Sequence, residues 1–426
     1  METWNFGIDN DKLVELVLTG KKTATTSLYN DGKLPKSGEQ SILVFDNEKK
    51  ACITQTKEVI IKKFKDIDWN LASLEGENNS LEEWRNIHRE YFSSIIPNFN
   101  DNTQVVFEIF DVVENLVLKR LEIAKKIVNS NKEIFGEKTD IKEINAGFNN
   151  SIFDIDDKYI IKVCDDVEKE KKFEVESNFY VSNMNNNAIP KLFKFDNSKK
   201  ILPYVYEIIE KVKGKTVYYY WYKMNENERE EFIRKLMLTI KKLHSKNYNA
   251  YDWSSKIKKE VIYNYNKCKD LFNIEEQYII TDSLSLYELI LSNNKFALIH
   301  NDLHFDNILI DEDKNIKLID FNDSEIAPFD YDLRLLYMSK EQPWKWANSE
   351  MDPLQKPKDY EKIFEYVKKY YPELNKLTYL DERMIIYSIL NDIMLLTRFK
   401  HNNLKERIVK NSKLILNKMN KKENSK

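Results

Sequence analysis

The stretch Ala297–Asp323, ALIHNDLHFDNILIDEDKNIKLIDFND, sets His300, Asp302, His304, Asp306, Asn307, Asp311 and Asp320 inside a frame of Ile, Leu and Phe. An unpaired carboxylate is costly to bury, so this many acids among apolar neighbours call for a partner. A divalent metal and a phosphate sharing that space would supply one. His300, Asp302 and Asn307 fit the spacing H-x-D-x-x-x-x-N, and Asp320 follows thirteen residues after Asn307 in KLIDF. Two apolar strands, NILI and IKLID, flank the turn DEDKN. That hairpin would hold Asn307 and Asp320 near one another, and their side-chain oxygens suit Mg²⁺, a hard cation that binds beside substrate phosphates. Asp302, at the mouth of the loop, could take the proton from an attacking hydroxyl.

Phosphoryl transfer also needs a cation on the nucleotide. Lys162, in YIIKV, can supply it, and Glu176, fourteen residues on in KKFEVESNFY, would pair with Lys162 and orient it. Glu174 is a competing partner. From Ile141 the pattern is strand, turn, strand, followed by a helix over about 169–184 and another strand in ILPYVYEIIE. Asn225 with Glu228 makes a capping box, after which Phe232, Leu236, Ile240 and Leu243 mark one face of a long helix. Beyond Asp332 the chain reads as mostly helical. Strands first and helices later predict a bilobal α+β unit.

Four ordered pieces, AGFNNSIFDI, IIKV with EVES, HNDLHFDNILI and LIDFNDSEIAPFDYDL, resemble the aminoglycoside phosphotransferase and choline kinase-like family, a relative of the protein kinases. The likeness spans roughly 141–396. It implies a kinase that uses ATP or GTP, with Mg²⁺, to phosphorylate a hydroxyl of a small molecule. By that likeness Asp302 is the catalytic base, Asn307 and Asp320 bind the metal, and Lys162 holds nucleotide phosphates. Glu207–Val212, with Glu210 and Val212, looks like the hinge that meets the base. The nucleotide loop carries a single glycine, Gly147, so Asn149, Asn150 and Ser151 would cover the phosphates. DFN in place of DFG, and no A-P-E, favour a small-molecule kinase over a protein kinase. Asp330 and Asp332 read as braces for the catalytic loop, His300 as packing within it, and Asp311 and Asp313 as turn residues. His304 reads equally as structural or functional. Asp306, Asp323 and Glu325 would leave negative charge suited to a cationic amino-sugar or amino-alcohol, against the plainer reading of a solvated acidic loop. The aromatics of TVYYYWYKM, Thr216–Met224, read as core more readily than as a cage for substrate.

The first hundred residues differ. A short helix over Asp11–Thr19 ends at Gly20; strands follow at Ser41–Phe45, Ala51–Ile61 and Gln104–Val113, with a helix at Leu81–Phe92. Leu116, Leu118, Leu121, Ala124 and Ile127 then recur at helical spacing, and no Gly/Ser/Pro tether interrupts, so the join is expected to be a packed helix. In LTGKKTATTSLYNDGKLPKSGE, Lys21, Lys22, Thr23, Thr25, Thr26 and Ser27 could hold a phosphate or a nucleic-acid backbone; an exposed polar loop is the bland alternative. GKKTATTSL, LPKSGE, LEGENNSLEEWRNIHREYF and VVFEIFDVV resemble the ASCH domain, a small PUA-like β-barrel. The resemblance implies an RNA or nucleoside ligand, although Ser27 stands where an arginine is often found. Some members of the wider group hydrolyse acetylated cytidine with a Lys, Thr and Glu set, and Lys22, Thr25 and Glu77 stand at similar positions. Trp84, His88 and Tyr91 share one side of the helix, where packing is the simpler role than stacking a base.

The expectation for the 426 residues is therefore α+β with two domains: a PUA-like ASCH barrel over 1–115, a connecting helix over 116–140, and a kinase-like domain over 141–426, its lobes meeting near 212. An RNA- or nucleoside-binding regulator, or an acetylcytidine-type amidohydrolase, is the alternative. A net charge of −3 gives no global attraction to nucleic acid. Three scattered cysteines, Cys52, Cys164 and Cys268, argue against a disulfide framework. The acidic start is no signal peptide, and Met384–Leu396 is too short and too interrupted to span a bilayer, so a cytoplasmic protein without a membrane partner is expected.

Overall fold

The computed structural model describes residues 1–30, 34–144, 150–164, 166–292, 294–342, 350–398 and 402–423. Gly147 and Asn149 lie outside them. The chain divides into two compact units, Met1–Val167 with Asp196–Ile208, and Glu168–Phe195 with Ile209–Lys426.

In the first unit β1 (Thr3–Trp4), β2 (Ala24–Leu28), β3 (Gln40–Val44), β4 (Lys50–Lys63) and β5 (Gln104–Asn115) form a sheet of order β1-β3-β4-β5-β2. β1 runs parallel to β3 and the other pairings are antiparallel. β4 is long enough to serve both neighbours because its pairing with β5 shifts register at Ile53/Thr54 and Thr56/Glu58, where a long strand must bend. One face covers Trp84, Phe64, Phe92 and Phe107, which the Leu81–Ile95 helix closes; another cluster gathers Val14, Val17, Leu43 and Phe110. The helix Leu116–Asn129 begins at Asn115, whose side chain accepts from the Leu118 N–H. Its Ala124, Ile127 and Val128 pack with Phe153, Ile155, Ile161 and Val163. β6 (Ile141–Ile144), β7 (Ser151–Ile155) and β8 (Tyr159–Val163) form an antiparallel meander, and with β9 (Leu192–Asp196) and β10 (Tyr206–Glu210) the sheet has order β6-β7-β8-β10-β9. Of ILPYVYEIIE only its second half is strand.

The second unit is mainly helical, with two small sheets that carry the acids of 297–323. β11 (Lys215–Thr216), β13 (Ile308–Ile310) and β14 (Ile316–Leu318) make one; β12 (Phe296–Ile299) and β15 (Glu325–Pro328) make the other. The expected hairpin is present, Ile308 opposite Leu318 and Ile310 opposite Ile316, and the Asp311 carboxylate closes its turn on the Asn315 N–H at 2.7 Å. Gly214 lets the chain pass the Ile310 carbonyl where any Cβ would collide. The helix Glu226–Leu243 starts at the Asn225–Glu228 capping box and buries Phe232, Leu236, Ile240 and Leu243. Leu380–Arg398 is buried along most of its length, and Asp392 on it pairs with Arg407 at 3.1 Å. Among the described residues no helix is long and apolar enough to cross a membrane. None of the three cysteines is in a disulfide, and all are buried.

Candidate functional site

β12 ends at Ile299, and its pairing with β15 sets Ile299 opposite Glu325. The next residues turn sharply: Asn301 has φ 68, a left-handed conformation costly for a side chain with a Cβ. Asp332 holds it there. Its carboxylate is fully buried and accepts from the His300 N–H at 3.2 Å, the Asn301 N–H at 2.7 Å and the His244 ring at 3.0 Å. Arg334 takes the Asn301 carbonyl at 2.7 Å. Burial alone would push the Asp332 carboxyl up, but these donors and the His244 and His300 rings hold it below the ordinary carboxylate range.

His300 joins the two halves of the motif. Its Nδ1 accepts from the Asp302 N–H at 3.3 Å, so Nε2 carries the proton and donates to the Ile319 carbonyl at 3.0 Å. Asp302 is 37% exposed, whereas His304 and Asn307 beside it are buried. His304 Nδ1 accepts from the Asp306 N–H at 3.3 Å, and its Nε2 lies 3.3 Å from Asp302 Oδ2 and 3.2 Å from the Asn307 amide nitrogen. The Asn307 amide nitrogen lies 2.9 Å from the Asp302 carbonyl and 3.1 Å from its Oδ2. Burial raises Asp302, but the hydrogen bond and charge of His304, with His300 and Arg334, bring its carboxyl net below the usual range. It is therefore anionic at neutral pH and accepts from neighbours that fix its direction.

Asp320 follows β14 with φ 65, again left-handed without being glycine, and Asn322 donates to its carboxylate. Phe321 is buried between Phe179, stacked at 4.1 Å, and His300, whose ring centre is 4.7 Å away. Glu176, fully buried on the Glu170–Ser182 helix, accepts from the Phe321 N–H at 3.3 Å and the Tyr180 hydroxyl at 2.8 Å. Among the described residues no three His, Cys, Asp or Glu side chains cluster as a metal site. The oxygens of Asn307 and Asp320 are nonetheless a hard donor set, and Mg²⁺ takes most of its ligands from phosphate and water, so the residues present fit that ion.

In the first unit Lys162 is buried on β8 and its ammonium lies 3.8 Å from Glu207 of β10. Glu207 is fully buried and had no role in the sequence reading beyond opening the hinge segment; only the pairing of β8 with β10 reveals it. Ser151 is buried and Asn150 half-buried. In the second unit Glu210 is tied to Lys191, whose backbone N–H it accepts at 3.1 Å, and Val212 is half-buried.

Tyr218 and Trp221 are core, as their sequence context favours, against Phe305 and Tyr360. Two readings need correction. Asp323 and Glu325 are not uncompensated, because Lys172 and Lys256 pair with them at 2.6 and 2.7 Å. Lys22 is not an exposed loop cation: it is 1% exposed and paired with both Glu75, at 3.1 Å, and Glu77. Gly76 between those acids sits against the Lys21 carbonyl, where a Cβ would not fit. Thr26, not Thr25, reaches Glu75, which also accepts from Trp84 at 3.2 Å and lies 3.4 Å from His88. Burial raises Glu75, but the Lys22 charge and the His88 and Thr26 hydrogen bonds bring it down to about 2. Trp84 and His88 stack on each other inside the core.

These features define a kinase-like phosphotransferase domain that follows a β-rich domain along the chain. The description "Phosphotransferase enzyme family" matches residues 140–352 and "ASCH domain" matches 2–114. The chain belongs to the phosphotransferase enzyme family and carries an N-terminal ASCH domain. Among solved structures, wild-type aminoglycoside 2'-phosphotransferase-IIIa in its GDP complex is similar over 70% of this chain and 98% of its own, at 12% identity and TM-score 0.50. The GDP and kanamycin complex of APH(2")-IIia gives the same coverage at 14% identity and TM-score 0.50. The ASCH domain from Lactobacillus crispatus JV V101 is 27% identical over 27% of this chain and 80% of its own, with TM-score 0.26. No curated protein matches the chain.

Proposed function

We propose that this chain transfers the terminal phosphoryl group of ATP or GTP to a hydroxyl of a small molecule, an aminoglycoside, amino-alcohol, sugar or nucleoside. The carrying observation is the Asp302 carboxylate, kept anionic and directed by His304 and Asn307. In this reading the acceptor hydroxyl gives its proton to Asp302 as its oxygen bonds to phosphorus, and the bond from phosphorus to the departing nucleoside diphosphate breaks. Asn307 and Asp320 would hold Mg²⁺, which supplies positive charge to the phosphates. Lys162, beside Glu207 at 3.8 Å, would meet the phosphates, and Glu210 to Val212 the base. The GDP in both aminoglycoside enzymes of the same fold, and kanamycin in one of them, support a nucleotide donor and a polyhydroxylated cationic acceptor.

The test is nucleotide turnover with Mg²⁺ across a panel of aminoglycosides, amino-alcohols, sugars and nucleosides. An acceptor should be phosphorylated, and Asp302→Asn, which keeps the shape of the loop, should lower kcat by roughly 10²- to 10⁴-fold. An inert panel, or an Asp302→Asn variant as fast as wild type, would refute the assignment.

A further inference from the structure

A cavity of about 910 Å³, whose lining includes none of Asp302, Asn307 and Asp320, lies wholly within the second unit. Six lysines line it: Lys191, Lys235, Lys242, Lys246, Lys314 and Lys317, with Glu210 as the lone acid of the lining. They come from three separate stretches: the segment entering β9, the second half of the Glu226–Leu243 helix with the residues after it, and the β13–β14 turn. The chain as a whole has 67 basic and 70 acidic residues, so this concentration is local and not a reflection of composition.

The lysines are held together with little direct counter-charge, Glu231 acting only electrostatically on Lys235. Lys317 donates to the Asn187 carbonyl at 2.7 Å and Lys246 to the Ser182 carbonyl at 3.5 Å, which fixes two ammonium groups at the wall. Among the described residues Lys191, Lys235, Lys242 and Lys314 make no ion pair, and the Glu210 carboxylate is turned to the Lys191 backbone N–H. Lys314 has φ 61, where asparagine or glycine would sit with less strain. Helix-dipole complementarity accounts for Lys242, in the last turn of its helix, but not for Lys235, Lys191, Lys314 or Lys317. Like charges gathered in a concavity raise the local potential and concentrate an anion there.

We propose that this cavity binds a compact polyanion, a small molecule carrying several phosphate groups. Its volume falls within the roughly 300–1,000 Å³ of small-molecule sites. No aromatic residue lines it, so it lacks the stacking surfaces by which single-stranded nucleic acid is held. Asn185 and Asn187 add amide donors to the lining.

Inorganic tetrapolyphosphate titrated into the full chain by calorimetry, in EDTA to disfavour metal-dependent nucleotide sites, is the direct test. Binding should weaken with added salt and fall at least tenfold in Lys235→Glu/Lys242→Glu, with an unchanged circular dichroism spectrum. Lys356→Glu/Lys358→Glu, an exposed pair elsewhere carrying the same change in net charge, should bind as wild type. Equal affinity in the cavity variant, or equal loss in the control, overturns the proposal. A twelve-nucleotide single-stranded RNA that binds more tightly than tetrapolyphosphate through the same lysines overturns it too, in favour of a nucleic-acid surface.

Discussion

His304 acts on Asp302 through the Nε2 side of its ring, which faces the carboxylate and helps hold its pKa down. The consequence is a pH dependence whose sign is fixed. A base with a depressed pKa is active above it, so turnover should hold through the mildly acidic range and decline only as the pH falls through the depressed value. Removing the ring in His304→Ala leaves burial, which raises the carboxyl, with less to oppose it. The acid limb of kcat/KM should then move to higher pH; a limb that stays in place would show that His304 does not act on the proposed base. The spacing H-x-D-x-x-x-x-N was readable in the sequence because it is local. The ring of His304 was not, since its role depends on which nitrogen the Asp306 N–H occupies. Thr25 and Thr26 show the same limit: neighbours on a strand face opposite ways, and only the register of β2 on β5 decides which one meets Glu75.

Between β12 and the segment after β15, Asp332 does for the backbone what His304 does for a side chain. Three donors converge on one buried carboxylate, and two of them are N–H groups of the strained turn that presents Asp302. Asp332→Ala would leave those N–H groups buried and unpaired, a loss of roughly 3 kcal/mol or more in urea-induced unfolding. Its pH dependence follows from the depressed folded-state pKa: the stabilisation is present above the unfolded value of about 3.9 and is lost as the pH falls through the lower folded value. A variant as stable as wild type at neutral pH would contradict this account. The β13–β14 hairpin was readable because its two apolar runs and its turn are contiguous. Glu207 was harder: in YEIIE it reads as one more strand residue, and it gains its meaning only from β8 alongside. The tyrosines and tryptophan after Thr216 were ambiguous for a related reason, because an aromatic run looks the same whether it faces a ligand or Phe305.

The two family descriptions end at 114 and begin at 140, yet the compact unit that holds the first runs on to Val167. The sequence suggested a packed helix at the join from the absence of a flexible tether, and the ion pairs around it come from residues far apart in the chain. Glu143 of β6 accepts from Lys49, beside β4, and from Arg120 of the joining helix, both at 2.6 Å. Arg120 also donates to the Lys50 carbonyl at 2.7 Å, so one guanidinium is shared between the ASCH sheet and β6. All three charged side chains are largely buried, which makes the carboxylate worth most when its loss strands its partners. Glu143→Ala leaves two cations facing each other with no acid between them, and should lower stability by roughly 3 kcal/mol. Replacing Lys49 and Arg120 as well, with methionine at both, removes the stranded charges and should recover much of that loss. Scanning calorimetry of the full chain reads both effects. If Glu143→Ala melts with the wild-type midpoint, the join does not depend on this cluster. If the triple variant is no more stable than Glu143→Ala, the loss comes from packing around the carboxylate and not from uncompensated charge.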